Sequence, residues 1–220
     1  MIAIKDLEFH YPTGDFSLSI GDLNLARNEK TAVIGPSGTG KTTLLNLIAG
    51  IMTPDRGVIN IAGTDVGRLN DKARRRFRIT TIGFVFQDFE LLDYLSILDN
   101  ILHPYRITDA LKLTGKVRQR AILLAEQMGV DGHIKKHPGE LSQGEKQRAA
   151  ICRALLSQPK LILADEATGN LDPENKNRIL DLLFAAVDDH DTTLLAVTHD
   201  HELLGRFDRI VDFKDFRKTK

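Results

Sequence analysis

The feature that most constrains this chain is the segment from Gly35 to Thr42, which reads Gly-Pro-Ser-Gly-Thr-Gly-Lys-Thr. It fills every fixed position of the pattern G-x-x-x-x-G-K-[ST]. The apolar run 31–34 before it predicts a buried strand, and the helical pattern 43–50 after it ends in glycine. The sequence therefore predicts a strand, a tight loop and a helix, which is the context in which such a loop holds phosphate.

The residue types of this loop suit a nucleoside triphosphate. Glycines allow backbone N–H groups to close around phosphates, and the N-terminus of the following helix favours anions. Lys41 supplies a charge for the β- and γ-phosphates, and the hydroxyl of Thr42 suits Mg²⁺. A glycine-rich turn that contains Lys-Thr by chance is the alternative. The positions expected to line the site are Gly35, Pro36, Ser37, Gly38, Thr39, Gly40, Lys41, Thr42 and Thr43.

Composition narrows the class of protein. A chain of 220 residues with 42% hydrophobic and 27% charged residues fits one domain with a sub-domain inserted in it. Its net charge of zero gives no reason to expect nucleic acid as the main partner. The single cysteine, Cys152, suits a reducing cytosol and helix packing. We expect no signal peptide, and no apolar run approaches the roughly 18 residues of a membrane span.

The pattern of the N-terminal third of the sequence predicts an antiparallel sheet with one solvent-exposed face. Ile2, Ile4 and Leu7 set an apolar rhythm, and the run 16–20 alternates cleanly. Tyr11 lies between them and precedes a proline, which favours an extended backbone. Its ring either stacks on adenine or caps the edge of the sheet.

The next segments alternate between strand and helix. A strand is expected at 58–61, a basic, solvated helix face at 72–78, and a buried strand at 82–86. Gln87 follows that strand, where it either reaches a Mg²⁺ site or caps the strand.

Residues 88–158 have helical spacing, with helices expected at 97–102 and 117–128 and glycines as punctuation. Ser142 and Glu145 have the spacing of a capping box for a helix that runs to Leu156. Capping does not explain Gly144, because glycine is a poor helix former inside a first turn.

The remaining predicted strands each lead into residues that could take part in metal binding or catalysis. The run 161–166 is a buried strand that ends in Asp165 and Glu166, which suit Mg²⁺ binding and polarisation of a water. His199 follows the strand at 193–197, where it either donates to a γ-phosphate or merely ends the strand. Asp172 and Pro173 have the pattern of an N-cap and first helical residue for a helix to about Asp189. A last strand at 209–213 and a basic tail complete the chain.

Together these motifs resemble the nucleotide-binding subunit of an ABC transporter, and the resemblance covers nearly the whole chain. The signature, LSQGE, has Gln143 where the family often has glycine. The matching positions are Tyr11 for the A-loop, Gly35 to Thr42 for the Walker A motif, Gln87 for the Q-loop, Leu141 to Glu145 for the signature, Leu161 to Asp165 with Glu166 for the Walker B motif, Asn170 to Asp172 for the D-loop, and His199 for the switch histidine.

The resemblance implies an α/β fold: a P-loop NTPase core with a mixed sheet, an N-terminal antiparallel β-subdomain and an inserted α-helical subdomain. One domain would span 1–220, with a RecA-like core at 1–87 and 159–220 and the helical subdomain at 88–158. It implies ATP and Mg²⁺ as cofactors. Its catalytic residues would be Glu166, His199, Lys41 and Gln87, its metal ligands Thr42, Gln87 and Asp165, and its further nucleotide contacts Tyr11, Ser142, Gln143, Gly144 and Asp172.

The resemblance also implies partners. Ser142 and Gly144 would grip the γ-phosphate bound to a second subunit, in an ATP-dependent, head-to-tail homodimer. A transmembrane permease would dock near Gln87–Asn100 and hold the chain on the inner, cytoplasmic face of the membrane, with no nucleic acid as partner. The amino-acid sequences of 83–87 and 165–172 are most similar to those of the lipoprotein-release and macrolide-efflux branch.

The alternative function is a soluble ABC-type ATPase that acts without a transporter, in DNA repair or as a regulatory nucleotide-binding module. The DNA-repair type inserts a long coiled coil before the signature, and residues 88–158 lack sustained heptads. Glu166 argues against a module that only binds nucleotide, because binding alone does not need it.

Overall fold

The chain forms two sheets of different type in a computed structural model that describes residues 1–169 and 171–216. Asn170 and the basic tail at 217–220 lie outside the described residues. The first sheet is antiparallel, with order β2-β1-β4-β5, and the second is parallel, with order β6-β7-β8-β3-β9. The strands are β1 (Ile2–His10), β2 (Ser17–Leu25), β3 (Lys30–Ile34), β4 (Arg56–Ile61), β5 (Thr64–Asp65), β6 (Ile82–Val85), β7 (Leu161–Asp165), β8 (Thr193–Val197) and β9 (Arg209–Asp212).

The mixed sheet expected from the sequence needs a correction, since the two strand orientations separate into two sheets. β1 and β2 are joined by a short connection and pair antiparallel from Ile2↔Leu25 to His10↔Ser17. β6, β7 and β8 are each preceded in the chain by an α-helix, and such helical connections produce parallel neighbours, whereas β3 follows β2 through the short segment 26–29. β2 also runs five residues beyond the alternating stretch 16–20, and β5 has no clear signal in the sequence.

The parallel sheet is buried on both faces, which explains its unbroken apolar runs. In β7, Leu161 and Leu163 pack into the cluster that contains the helix after the phosphate loop, while Ile162 and Ala164 pack into the cluster that contains the helical region and the helix that begins at Pro173. The helices are α1 (Lys41–Ile48), α2 (Asp71–Thr81), α3 (Ile97–Leu102), α4 (Gly115–Gln127), α5 (Gln143–Leu155) and α6 (Pro173–Asp189).

The helical region between Asp88 and Gln158 is less helical than its sequence pattern indicates. α3, α4 and α5 pack on one another, and short 3₁₀ turns connect them. Gly115, expected to separate helices, is instead the first residue of α4, because Thr114 caps the helix before it. The buried side chain of Asn100 bonds to backbone atoms of Leu92, Leu95 and Ser96, which fixes the loop before α3.

α2 carries the basic run and buries none of its residues, as expected for a solvated face. Within 1–169 and 171–216, no helix combines the length and the apolar character that crossing a membrane requires.

Cys152 is a packing residue of α5. Its thiol is fully buried and donates to the carbonyl oxygen of Leu124 at 3.4 Å. Burial raises the pKa of this thiol to about 12, so it stays protonated and weakly nucleophilic at neutral pH.

The contact between β6 and α5 joins the parallel sheet to the helical region. Gly83 lies so close to α5 that a Cβ atom on it would stand 2.5 Å from the carbonyl oxygen of Ala154 and 3.1 Å from the ring of Pro159. Only glycine allows this approach, because the nearest atom belongs to the backbone and cannot rotate away.

We therefore predict that Gly83→Ala lowers the free energy of unfolding by about 1–3 kcal/mol, the usual range for overpacking. Chemical denaturation followed by circular dichroism measures the loss. Gly129→Ala is not a fair control because its φ is +65°. Gly139→Ala is suitable, since nothing lies within 4 Å of its Cβ position. Equal stability of the Gly83→Ala chain and the parent chain would contradict this account of the junction.

Candidate active site

The loop between β3 and α1 has the backbone of a phosphate cradle. Gly38 and Gly40 have φ values of +74° and +103°, which side chains rarely adopt. A Cβ on Gly40 would also meet the ring of Phe16 at 2.5 Å. The glycines of the motif are thus required both by the turn and by a close neighbour.

Lys41 lies folded back over this loop. Its Nζ donates to the carbonyl oxygens of Gly35, at 2.8 Å, and Pro36, at 2.9 Å. Burial lowers the pKa of its ammonium group, while the nearby charges of Glu166 and Asp165 raise it. The ammonium group is therefore held at the loop by two carbonyls that an anionic ligand can replace.

Thr42 and Asp165 bring the start of α1 to the end of β7. Burial raises the pKa of the Asp165 carboxyl, and Glu166 raises it further, while a hydrogen bond from Thr42 and the charges of Lys41 and His199 lower it. A hydroxyl and a carboxylate are hard oxygen donors of the type that Mg²⁺ prefers. The donor set therefore fits a magnesium ion.

Glu166 and His199 are in direct contact. His199 Nε2 lies 2.6 Å from Glu166 Oε1, and both side chains are partly exposed. Glu166 has a φ of +48°, an uncommon value for a residue with a side chain, and its N–H donates to the carbonyl of Val197. The backbone thus turns sharply after Asp165 and aims the carboxylate at the end of β8.

One cavity of about 350 Å³ collects most of the expected residues. Its lining comes from Tyr11, Phe16, Ser37, Gly38, Gly40, Lys41, Thr42, Thr43, Glu166 and His199. A second cavity of about 460 Å³ shares Glu166 and His199 and is bounded by the ion pair of Lys176 with Asp200. Lys41, Glu166 and His199 therefore lie on one continuous surface, while Gln87 lines neither cavity.

Tyr11 enters this cavity as part of an aromatic layer. Its ring packs edge-on against Phe9, at 5.0 Å between centroids, and tilted against Phe16, at 5.5 Å. Its hydroxyl lies 3.1 Å from Thr43 Oγ1. Tyr11 therefore packs on the end of the sheet and also lines the cavity, and its stacking on adenine stays a prediction.

Phe16 is the residue that sequence reasoning missed. It lines the cavity beside Tyr11 and contacts the position of Gly40. A large aromatic residue at the start of an alternating strand is an ordinary core signal, so only its place next to the loop identifies it.

Gln87 lies beside the segment that follows Glu166. Its Nε2 is 3.6 Å from the position of a Cβ on Gly169. β6 ends at Val85, one residue earlier than expected, so Gln87 belongs to the loop and not to the strand.

The signature residues lie elsewhere on the described surface and line neither cavity. Ser142 caps α5 in a complete capping box with Glu145. A Cβ on Gly144 would stand 3.4 Å from Arg148 Nη1 and from Asn175 Oδ1, so this buried glycine packs against the side chains of both residues. Gln143 is the exposed first residue of α5.

Asp172 is also outside the cavity. Its carboxylate accepts from the backbone N–H of Asn175 at 3.1 Å and from its side-chain amide at 2.7 Å, so it caps α6 as the sequence indicates. The beginnings of α5 and α6 are thus neighbours, with Asn175 between them.

We predict that Asp165→Asn stabilises the nucleotide-free chain. A raised pKa means that the folded chain binds this proton more tightly than the unfolded chain, so the carboxylate costs stability as pH rises through the folded pKa. The amide removes that cost. The Tm at pH 7 should rise by about 2–4 °C for each kcal/mol recovered. Calorimetry at several pH values tests this, and a gain that does not grow with pH would contradict it.

Comparison with known proteins adds independent findings. The family model described as ABC transporter matches residues 18–169. The chain is 37% identical over 218 residues to the lipoprotein-releasing system ATP-binding protein LolD 2 of Caulobacter vibrioides, covering 98% of this chain and 95% of that protein. It is 40% identical to the macrolide export ATP-binding/permease protein MacB of Rhodopirellula baltica, of which it spans 32% of the length.

Solved structures agree with these relatives. The dimeric, post-hydrolysis structure of the ATP-binding cassette MJ0796 with ADP and Pi superimposes with a TM-score of 0.86 at 31% identity. That match covers 96% of this chain and 94% of the other. CbiO1 from Clostridium perfringens, part of the ABC transporter complex CbiONQ, gives a TM-score of 0.85 at 28% identity.

Proposed function

Because this chain belongs to the ABC transporter family, we propose that it is the ATP-binding and ATP-hydrolysing subunit of an ABC transporter that drives a separate membrane permease. The observation that carries the proposal is the cavity in which the phosphate loop faces both Glu166 and His199. A site that only bound nucleotide would not need a carboxylate held opposite the phosphate loop. The lipoprotein-releasing and macrolide-export relatives favour an export or lipoprotein-release transporter.

In this proposal Lys41 leaves the carbonyls of Gly35 and Pro36 to bind the β- and γ-phosphates. Glu166 accepts a proton from the attacking water, and His199, now bonded to Glu166, turns to donate to the γ-phosphate. Thr42, Asp165 and Gln87 would hold Mg²⁺, which neutralises charge on the phosphates when bound. Tyr11 and Phe16 supply the aromatic surface for adenine.

The catalytic roles lead to a direct prediction. Glu166→Gln should bind ATP but lose about 10²–10⁴ in turnover, because the amide cannot accept the proton. Lys41→Ala should instead lose ATP affinity, since the phosphates lose their main cation. Phosphate release and equilibrium binding of a fluorescent ATP analogue separate the two effects. Normal turnover in the Glu166→Gln chain would remove the role given to this residue.

We also propose that the working unit is an ATP-dependent homodimer. Ser142, Gln143 and Gly144 lie apart from the cavity of their own chain, as expected if they serve the nucleotide of a second subunit. The solved cassette of MJ0796 is dimeric. A two-fold arrangement makes each signature face the partner's phosphate loop, with Asp172 close to the same interface.

The domain division at 1–87 and 159–220 against 88–158 remains part of this proposal. The junction at Gly83 and Ala154 supports it, because the parallel sheet and the helical region meet there.

We propose that the permease docks in a groove at this junction. The groove has a volume of about 690 Å³ and includes the stacked rings of Phe84 and Phe86, whose centroids are 4.1 Å apart, and the exposed side chain of Ile107. Its cations, Lys72, Arg75, Arg76, Arg78 and Arg153, outnumber its carboxylates, Glu90 and Asp109. A partner segment with apolar and acidic residues would complement it.

This groove refines the docking segment expected at Gln87–Asn100. Of that segment, only Glu90 lines the groove, while Phe89 is buried and Tyr94 is 76% exposed elsewhere. Arg153 donates to the carbonyls of Phe89 and Glu90, two residues with positive φ, and so ties the groove to the segment that follows Gln87. Docking there would hold the chain at the inner face of the membrane.

The groove is tested with Ile107→Asp. Ile107 is 62% exposed, so the change should leave folding and ATP hydrolysis by the isolated chain intact while reducing recovery of the chain with membranes of its own cells. Leu123→Asp is the matched control, since Leu123 is 57% exposed on α4 and lies outside the groove. Tyr94→Asp tests the segment expected from the sequence. Membrane recovery lost with Tyr94→Asp but kept with Ile107→Asp would move the docking surface to that segment.

A further inference from the structure

Ser142 of the signature donates hydrogen bonds to a carboxylate that also forms an ion pair with a residue outside every motif. Glu145 Oε2 accepts from the backbone N–H and from the hydroxyl of Ser142, both at 2.7 Å. Its other oxygen, Oε1, lies 3.0 Å from Nε2 of His133, which ends a 3₁₀ turn before α5. The Glu145 side chain is 22% exposed and that of His133 is 30% exposed.

The capping box at the start of α5 does not need the charge of Glu145. Glutamine at the third helical position closes the same box, because an amide oxygen also accepts from the backbone N–H of the cap. The carboxylate differs from glutamine in two respects. It places a full negative charge beside Ser142, and it binds the single hydroxyl proton of Ser142 tightly.

The folded chain stabilises this negative charge. The two hydrogen bonds from Ser142 are the main reason that the pKa of Glu145 is lowered, and the charges of His133 and Arg148 contribute, against a smaller effect of burial. The N-terminus of α5 also favours an anion. Arg178 on α6 is the other charged group that faces Arg148.

The two ring nitrogens of His133 differ in their contacts, and Nε2 is the one that faces Glu145. Its Nδ1 is buried and has no hydrogen-bond partner among the described residues. The ring proton is therefore assigned to Nε2, which faces the carboxylate. This donor offsets part of the negative charge on Glu145 from the side opposite to Ser142.

We propose that Glu145 is a positioning residue that restrains ATP-driven dimerisation, and that His133 moderates this restraint. The inference rests on the proposed function, in which the Ser142 hydroxyl donates to the γ-phosphate of the second subunit. Glu145 competes with that phosphate for the same proton and repels it as a like charge. The hydroxyl must turn from carboxylate to phosphate as the dimer closes, so the negative charge of Glu145 sets the ATP-bound affinity of the two subunits.

The test uses the full chain with Glu166→Gln, which prevents turnover, and sedimentation with ATP over a range of protein concentrations. Adding Glu145→Gln should tighten the ATP-bound dimer by about tenfold or more, because a unit charge near a phosphate is removed. The gain should shrink at high salt, which screens partly exposed charges. ATP affinity of the monomer should not change, and its unfolding midpoint should fall only slightly, because the capping box survives while the stabilised charge of Glu145 is lost.

Glu140→Gln is the matched control. Glu140 accepts from the backbone N–H of His137 at 2.8 Å in the same kind of box, five residues earlier, and its carboxylate accepts from His137 rather than from Ser142. It makes the same change in net charge, so it should leave the dimer affinity as it was. An equal gain from Glu140→Gln would show a general charge effect and would overturn the proposal.

His133→Phe tests the second half of the inference. It removes the donor to Glu145 and should weaken the ATP-bound dimer several-fold when Glu145 is present, but have no effect in the Glu145→Gln chain. His133→Gln, which keeps an N–H donor, should restore part of the loss. Equal weakening in both backgrounds would mean that His133 acts through packing alone, and would overturn its role.

The outcomes separate the inference from the proposed function. A Glu166→Gln parent that stays monomeric with ATP would overturn both. A parent that dimerises with ATP, together with a Glu145→Gln chain of unchanged affinity, would overturn only the inference.

Discussion

The register of three parallel strands is the constraint on which the rest of the site depends. Val33 of β3 and Asp165 of β7 both pair with Val197 of β8, so the three strands end at the same level. The segments that follow them are the phosphate loop, Glu166 and His199. A shift of one residue in any strand would turn its side chains to the other face and separate these groups. The apolar residues on both faces of β7 and β8 fix that register, which means that the hydrophobic core positions the catalytic candidates.

A second constraint is the balance of charge among the groups that follow the C-terminal ends of these three strands. Lys41, Asp165, Glu166 and His199 are all within electrostatic reach of one another, and burial disfavours the charged forms of Lys41 and Asp165. Each of these four groups is bonded to a neighbour or to the loop itself. Nucleotide binding would therefore replace contacts between site residues with contacts to the nucleotide. A site of this kind can switch between two sets of contacts as nucleotide binds and leaves.

α5 is the structural link between the separate functional surfaces. Its first turn carries the Ser142 and Glu145 box, its middle contains the buried Cys152, and its last turn carries Arg153, which reaches the backbone at Phe89 and Glu90. One helix thus touches the expected dimer surface, the junction with β6 and the groove. It packs on α3, α4 and α6, and this tertiary packing supports a helix whose first turn includes a glycine.

The sequence by itself determined the phosphate loop, the strands that precede Glu166 and His199, the Ser142 capping box and the Asp172 cap. Each of these depends on local chemistry: a glycine with positive φ, an apolar run, or a side chain that bonds to its own backbone three residues on. Tertiary structure alone decided that the strands form two sheets, that Phe16 joins Tyr11, that His133 reaches Glu145, and that the groove lies beside Phe84 and Ile107. These features bring together residues far apart in the chain, and local patterns contain no information on which distant side chains will meet.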